Sequence, residues 1–182
     1  MSVSQRDHEE STILVRGRQL SMRRRGSTEF ASRGHGSALA IIATSKANEL
    51  VLVEEHKPAL KSRVLDLPNG WVPADDEPVS DSHLMAIARR RLASCTGYLA
   101  SSWRQEFVGP AAPAVCDEMV TWFRARSLER VGRSQSMMEI DPSVLVHYVT
   151  RDSFDGFLTA RRSEGVIVDP RIYTAAWIAW NS

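Results

Sequence analysis

The chain has 182 residues, of which 43% are hydrophobic and 25% charged, and its formal net charge at pH 7 is +1. This length and balance predict one well-packed domain and exclude a disordered chain. The small net charge gives no broad field for steering nucleic acid, and no stretch approaches the ~20 apolar residues that cross a bilayer. We therefore expect no nucleic-acid partner and no membrane span. The first residues are polar and lack the apolar stretch that follows basic residues in a signal peptide, so a cytoplasmic protein is expected.

The first 36 residues combine a polar tail with an alternating stretch. Residues 1–11 are polar, and we expect them to be mobile. Residues 12–36 alternate apolar and polar side chains around Gly17, which predicts a β-hairpin extension and a candidate dimerisation element. The sequence leaves open whether these strands pair within one chain or with a second copy.

The next part of the chain predicts buried strands and then a loop. Two apolar runs, at residues 38–43 and 50–53, predict strands buried on both faces, with a polar turn between them. Residues 64–71 predict a brief strand that ends at Pro68 and Gly70. The segment after Trp71 is acidic and contains two prolines, so it is expected to be a loop.

The second half of the chain predicts a helix, three strands and two further helices. Apolar residues recur at helical spacing at positions 84, 87, 88 and 92. Ser80 or Ser82 is the expected cap of this helix, and Gly97 is its expected end. Strands are expected at 101–109, 117–128 and 144–149, a mobile loop at 132–141, and helices at 151–165 and 169–180, the last capped by Asp169.

Two short motifs carry a resemblance to a known family. Residues 66–70 read Asp-Leu-Pro-Asn-Gly, and Thr-Gly-Tyr follows at 96–98. In this order they resemble the Nudix hydrolases, especially the ADP-ribose pyrophosphatase branch, whose usual sequences are Glu-Leu-Pro-Ala-Gly and Glu-Glu-Thr-Gly-Tyr. The resemblance implies that residues 37–182 form a Nudix-like domain of the α/β (α+β) class. Its mixed β-sheet would be sandwiched between helices.

The catalytic box that the resemblance implies is altered. If Gly70 is its first glycine and Arg90 its arginine, they stand twenty positions apart instead of fourteen. The three glutamates expected after that arginine are replaced by Arg91, Ser94 and Cys95. Asp76 and Glu77, in the acidic loop, are the candidates for the remaining glutamate.

These replacements change the chemistry that the helix supports. Nudix-type cleavage uses carboxylates on one helix face to hold magnesium, and residues three or four apart share that face. A like charge at 4 Å costs roughly 4 kcal/mol at an effective dielectric of about 20, so Arg91 opposes a metal there. We expect no cofactor, with Mg²⁺ or Mn²⁺ held by Asp76 and Glu77 only if hydrolysis is retained.

Arginine in a cleft binds phosphate or carboxylate directly through its planar fork. Arg91 therefore predicts a site for an anionic small molecule. The alternative interpretation is that the arginines at 89–91 only solvate a helix surface.

The candidate site residues are taken from the aligned positions. The ligand-binding candidates are Lys57, Asp66, Asn69, Gly70, Trp71, Arg90, Arg91 and Cys95. Trp71 offers a ring for stacking on a flat ligand, whereas Cys95 is as readily explained by packing. The catalytic candidates are Glu77 and Glu139, because the resemblance implies that the loop around Glu139 bears a general base.

The sequence supports three hypotheses. The first is a Nudix-fold protein without standard magnesium-dependent hydrolysis that binds or transforms a nucleotide-like or other anionic small molecule, as a regulator or a biosynthetic enzyme. The second is a weak or rebuilt Nudix hydrolase of nucleoside diphosphate derivatives such as ADP-ribose. The third is a dimeric interaction module without a small ligand.

Overall fold

The computed structural model describes residues 11–34, 37–72, 80–130 and 141–181. The expected tail at 1–11 and the expected loop at 132–141 lie outside these ranges except for Ser11 and Asp141. The elements in chain order are β1 (Thr12–Arg16), β2 (Ser21–Arg25), β3 (Thr28–Ser32), β4 (Ser37–Thr44), β5 (Leu50–Lys57), β6 (Ser62–Asp66), β7 (Asn69–Val72), α1 (Asp81–Thr96), β8 (Tyr98–Pro110), β9 (Met119–Arg130), β10 (Leu145–Val149), α2 (Phe154–Ser163), β11 (Ile167–Val168) and α3 (Arg171–Asn181).

The first three strands form a small antiparallel sheet in the order β1-β2-β3. The expected hairpin is present, closed by a hydrogen bond from the amide of Gly17 to the carbonyl of Leu20 (2.8 Å). A third strand adds to it, which the alternation alone did not separate from the second. Cys116 makes a parallel bridge to Ala31 in β3.

The other eight strands form a mixed sheet in the order β11-β6-β5-β4-β9-β8, with β10 paired to β5 and β7 paired to β4. β4 runs parallel to β9 and antiparallel to β5 and β7. Burial on both faces explains the unbroken apolar runs of β4 and β5, where residues 39–44 and 50–54 are buried.

Side chains alternate along each strand, so this sheet has an apolar side chain layer on both faces, and helices cover both. Leu39 and Ile41 of β4 pack in one core cluster with Leu84, Ala88 and Leu92 of α1. Ala40 and Ile42 point the other way, into a cluster that contains buried residues of α2 and α3, among them Phe154, Leu158 and Ile172. The predicted class, a mixed sheet between helices, is confirmed.

The predicted helix ends agree with the local chemistry. The hydroxyl of Ser80 accepts a hydrogen bond from the amide of His83 (3.3 Å), so Ser80, and not Ser82, is the N-cap of α1. Gly97 ends α1 in the left-handed region at φ 74°, which glycine adopts without steric cost. The carboxylate of Asp169 accepts a hydrogen bond from the amide of Arg171 (2.8 Å) at the start of α3.

One predicted boundary is wrong. The strand expected to end at Pro68 and Gly70 divides into β6 and β7, and Gly70 lies inside β7 opposite Leu39. Pro68 still breaks the first strand, but its carbonyl accepts a hydrogen bond from the amide of Ile41 (2.8 Å), which guides the chain onto β4. Within the described ranges no helix is long and apolar enough to cross a membrane.

Candidate functional site

The candidate site lies between the C-terminal half of β5, the segment from Asp66 to the start of β7, and the second half of α1. The pairing of β7 with β4 places Asn69 opposite Ala40 and Gly70 opposite Leu39. Lys57 is the last residue of β5 and Asp66 the last of β6. The contacts of Glu55 with Lys57 and Arg91, and of Asn69 with Asp66 and Arg91, bring these candidates together.

Arg91 crosses from α1 to β7. Its Nε donates a hydrogen bond to the backbone carbonyl of Asn69 (2.6 Å), and one terminal nitrogen lies 3.9 Å from Oε1 of Glu55. Its aliphatic stem passes over Gly70, where an added β-carbon would lie 3.4 Å from Cγ of Arg91. The side chain is 30% exposed, so Arg91 does not simply solvate the helix surface.

Glu55 carries a negative charge between two cations. Its Oε1 also accepts a hydrogen bond from Nζ of Lys57 (2.6 Å), while 16% of its side chain is exposed. Lys57 and Arg91 thus share one carboxylate, and this group of three has one net positive charge. Such an arrangement holds two donors in place for an approaching anion.

Asp66 is the buried acid of the site, with only 2% of the residue exposed. Its Oδ1 accepts the amide of Leu67 (2.7 Å), and its Oδ2 accepts the side-chain amide of Asn69 and the guanidinium of Arg171, both at 2.8 Å. Burial raises the pKa of Asp66 to about 6, although the charge of Arg171 opposes this. By accepting hydrogen bonds from Leu67 and Asn69, the buried carboxylate orients the segment at residues 66–70.

Arg171 and Asp169 are site residues that the sequence interpretation missed. Nε and a terminal nitrogen of Arg171 bind the two oxygens of Asp169 (3.0 and 2.8 Å), and the same terminal nitrogen reaches Asp66. Burial acts to raise the pKa of Asp169, but the hydrogen bonds from Arg171 hold it below its usual value. Asp169 was predicted as a cap only, and nothing local in the sequence marks Arg171 as the partner of Asp66.

Trp71 lies beside the site on β7. The guanidinium carbon of Arg33 is 5.1 Å from the centre of its ring, and Arg33 also faces Glu118 (3.5 Å). The Nε1 of Trp71 is buried and donates no hydrogen bond within the described ranges. A ligand that stacks on Trp71 would therefore use the ring face opposite Arg33, and this role stays a prediction.

The remaining α1 candidates point in different directions. Arg90 is exposed. Cys95 is 1% exposed and clusters with Val53 and Val144, and burial raises the pKa of its thiol to about 11. Contact of Cys95 with a ligand would require these neighbours to move, so its ligand-binding role also stays a prediction.

Asp141 is the acidic residue at the end of the loop predicted at 132–141, and it lies within the described residues. Its amide donates a hydrogen bond to the carbonyl of Ser94 (3.1 Å), which joins Asp141 to α1. Hydrogen bonds from Ser143 lower the pKa of the Asp141 carboxyl, with a smaller contribution from the charge of Arg91. Glu77, Asp76 and Glu139 lie outside the described residues.

The donor set that the described residues supply around Arg91 does not fit a magnesium site of the Nudix type. Position 91 holds a guanidinium whose nearest carboxylate, that of Glu55, already binds Lys57. In the part of the chain that the structure describes, no group of three or more His, Cys, Asp or Glu side chains is arranged to hold a metal ion. Hard cations need several oxygen ligands, and the described residues around Arg91 do not supply them.

Two further polar features lie away from this site. Glu54, on the opposite face of β5, is buried and binds Arg63 (2.6 Å) and His147 (3.0 Å), with Arg161 at 3.6 Å. A cavity of about 440 Å³ opens between the β4–β5 turn and the end of α3. None of the sequence candidates that the structure describes lines that cavity.

Comparisons with known proteins address the fold and part of the sequence. A solved structure of an ADP compounds hydrolase superposes with a TM-score of 0.67 at 15% identity, covering 92% of this chain and 88% of that chain. The chain thus has a Nudix-like fold. The methanol dehydrogenase activator of Bacillus methanolicus is 25% identical over 96 residues, or 53% of this chain, and the chain spans about half (49%) of that relative's length. No family model matches the chain.

Proposed function

We propose that this Nudix-fold protein has a degenerate catalytic box, lacks standard magnesium-dependent hydrolysis, and binds or transforms a nucleotide-like or other anionic small molecule. One observation carries the proposal. The guanidinium of Arg91 occupies the helix face where the resemblance implies metal-binding glutamates, and it is anchored to Asn69 and paired with Glu55. The proposal includes the cytoplasmic location expected from sequence.

The charges of the site favour an anion over a cation. Lys57 and Arg91 share the single carboxylate of Glu55, so an incoming phosphate or carboxylate gains two charged donors. Both side chains are about one-third exposed, which leaves them within reach of a ligand. The ADP compounds hydrolase with the same fold supports a nucleotide-like ligand as the first to try.

The test is a calorimetric titration of ADP-ribose and of inorganic pyrophosphate into the protein in the presence of EDTA. We expect binding that Arg91→Ala weakens about tenfold, which corresponds to about 1.4 kcal/mol. Arg89→Ala is the matched control, because Arg89 is a nearby arginine on α1 that is exposed and is not a candidate ligand-binding residue, and it should change binding less than twofold. Equal losses of affinity in the two variants would mean that binding depends only on the overall positive charge of the surface, which would contradict the proposal.

A rebuilt hydrolase is the alternative. It would cleave nucleoside diphosphate derivatives such as ADP-ribose, with Mg²⁺ or Mn²⁺ held by Asp76 and Glu77 and with Glu139 as general base. These residues lie outside the described ranges, so the alternative rests on sequence alone. Metal-dependent cleavage that is lost in Glu77→Gln would establish it and refute the first proposal.

The likeness to a methanol dehydrogenase activator supports a regulatory form of the same proposal, in which the chain acts on a partner enzyme. Adding the purified chain to methanol dehydrogenase tests this form directly. An increase in turnover that Arg91→Ala removes would tie regulation to the candidate site. Unchanged turnover would leave the small-molecule proposal standing without this partner.

We also propose that the protein is a homodimer paired through β1–β3. Ser32 is the only residue of these strands that is fully buried, while Leu14, Val15 and Met22 are 37%, 62% and 40% exposed. A small sheet needs a covered hydrophobic face, and a second copy would supply the cover. Light scattering should give twice the chain mass. Val15→Arg should give monomers, whereas Leu60→Arg, at a similarly exposed position outside this sheet, should not.

A further inference from the structure

A continuous path of polar contacts joins the start of α3 to Arg91. The carboxylate of Asp169 holds the guanidinium of Arg171, which binds Oδ2 of Asp66 (2.8 Å). The same oxygen accepts the side-chain amide of Asn69 (2.8 Å), and the backbone carbonyl of Asn69 accepts Nε of Arg91 (2.6 Å). Three direct contacts thus connect Arg171 of α3 with Arg91 of α1, two helices that lie on opposite faces of the sheet.

Asp66, Asn69 and Arg91 each make a second contact that restrains their position. Asn69 also donates to the carbonyl of Leu67 (2.8 Å), and Oδ1 of Asp66 also accepts the amide of Leu67 (2.7 Å). The stem of Arg91 rests against Gly70. Asp66 therefore holds residues 67 and 69 through two hydrogen bonds, in addition to the pairing of Asn69 with Ala40 of β4, so a displacement of Asp66 strains the backbone that carries the acceptor of Arg91.

Arg171 is the charged hydrogen-bond partner of Asp66. The Asp66 carboxyl is 2% exposed, and a buried carboxylate that loses its charged partner is strongly destabilised. Without Arg171, the acid must therefore take up a proton or turn toward water. Either change weakens the fixed arrangement of residues 66–69.

We infer that Arg171 is a positioning residue, which holds the Arg91 guanidinium in place through Asp66 and Asn69 and so lets α3 set the strength of anion binding. The inference rests on the proposed anion-binding function of Arg91. It assigns no ligand contact to Arg171. It also gives the C-terminal helix a role in the site that lies beyond packing the core.

A double-mutant cycle tests whether Arg171 acts through Arg91. ADP-ribose and inorganic pyrophosphate are the probes, titrated in EDTA. Arg171→Ala should weaken binding about fivefold and Arg91→Ala about tenfold, while the double variant should lose no more than about tenfold, because residues on one path are not additive. An additive loss of about fiftyfold would overturn the inference, since Arg171 would then act independently of Arg91.

Two further variants separate positioning from general damage to the fold. Arg171→Lys keeps a charge for Asp66 but cannot bind Asp66 and Asp169 with a planar fork, so it should recover part of the affinity. Arg151→Ala is the matched control, because Arg151 also contacts α3, through a 3.4 Å bond to Asn181 at its far end. It should leave binding within twofold of wild type. If Arg171→Ala does not fold, Arg171→Lys and Asp169→Asn take its place in the cycle.

A readout without ligand distinguishes this inference from the proposed function. The Nε–H of Arg91 is hydrogen-bonded and should exchange slowly with solvent in nuclear magnetic resonance spectra. Arg171→Ala should speed its exchange severalfold, and Arg151→Ala should not. If wild type binds neither probe, the proposed function fails, and unchanged exchange in Arg171→Ala would overturn the positioning role itself.

Discussion

At the scale of single residues, the site depends on how each charge is neutralised. Arg91 and Lys57 share Glu55, and Arg171 is shared by Asp66 and Asp169. The sequence predicts ligand-binding roles for Lys57, Asp66, Asn69, Gly70 and Arg91 because they fall at aligned positions. The fold brings all five together, and their roles stay a prediction. The sequence could not identify Arg171, since its partner Asp66 is 105 positions away and the pairing exists only after β6 and α3 pack.

The acidity of Asp66 predicts how stability depends on pH. Because its pKa rises from 3.8 to about 6 on folding, the folded chain binds more protons than the unfolded chain between these values. This residue's contribution to the free energy of unfolding should therefore fall by about 3 kcal/mol as pH rises from about 3 to about 7. Urea denaturation of wild type and Asp66→Asn across this range measures it as the difference between the two curves.

Asp169 provides the control of opposite sign. Its pKa is lowered on folding, so its contribution to stability is present at neutral pH and is lost as pH falls. Asp169→Asn should therefore flatten the acid side of the stability curve. If both variants shifted the curve in the same direction, the electrostatic description of this cluster would be wrong.

The burial of Cys95 predicts that it is chemically inert in the folded protein. Its thiol is 1% exposed with a pKa of about 11, whereas Cys116 is partly exposed. At pH 8, a thiol reagent should label Cys116 first and reach Cys95 only after unfolding, as mass spectrometry would show. Rapid labelling of Cys95 in Cys116→Ser would instead mean that position 95 opens into a cleft.

At the scale of elements, the helix that carries Arg91 starts with one specific cap. Ser80→Ala should lower the free energy of unfolding by about 1 kcal/mol, because the amide of His83 loses its acceptor. Ser82→Ala should cost less, since the hydroxyl of Ser82 contacts only that of Ser80 (3.2 Å). Equal costs in chemical denaturation would contradict the assignment of Ser80 as the cap.

The elements themselves were largely predictable because their signals are local. Apolar runs marked β4 and β5, helical spacing marked α1, and Gly97 marked its end. β7 and β11 were not predicted, because two to four residues give too short a pattern and their pairing with β4 and β6 is decided by the fold. The third strand of the small sheet was hidden within one continuous alternation.

At the scale of the whole molecule, the features that determine the fold differ from those that determine function. The fold follows from the sheet and its two helical layers, and it agrees with that of an ADP compounds hydrolase at only 15% identity. A function is determined instead by the side chains of a site, which the fold alone does not fix. Under the proposed function, Arg91 makes the candidate site positive without disturbing the scaffold, because its aliphatic stem packs over Gly70 and its guanidinium is paired.

The most direct test of the central claim is an ADP-ribose titration of the wild-type protein in EDTA and again in Mg²⁺, with the products analysed after each. Our account predicts the same affinity in both buffers and intact ADP-ribose at the end. Binding that disappears in EDTA, together with cleavage in Mg²⁺, would contradict it and show that the chain is a metal-dependent hydrolase.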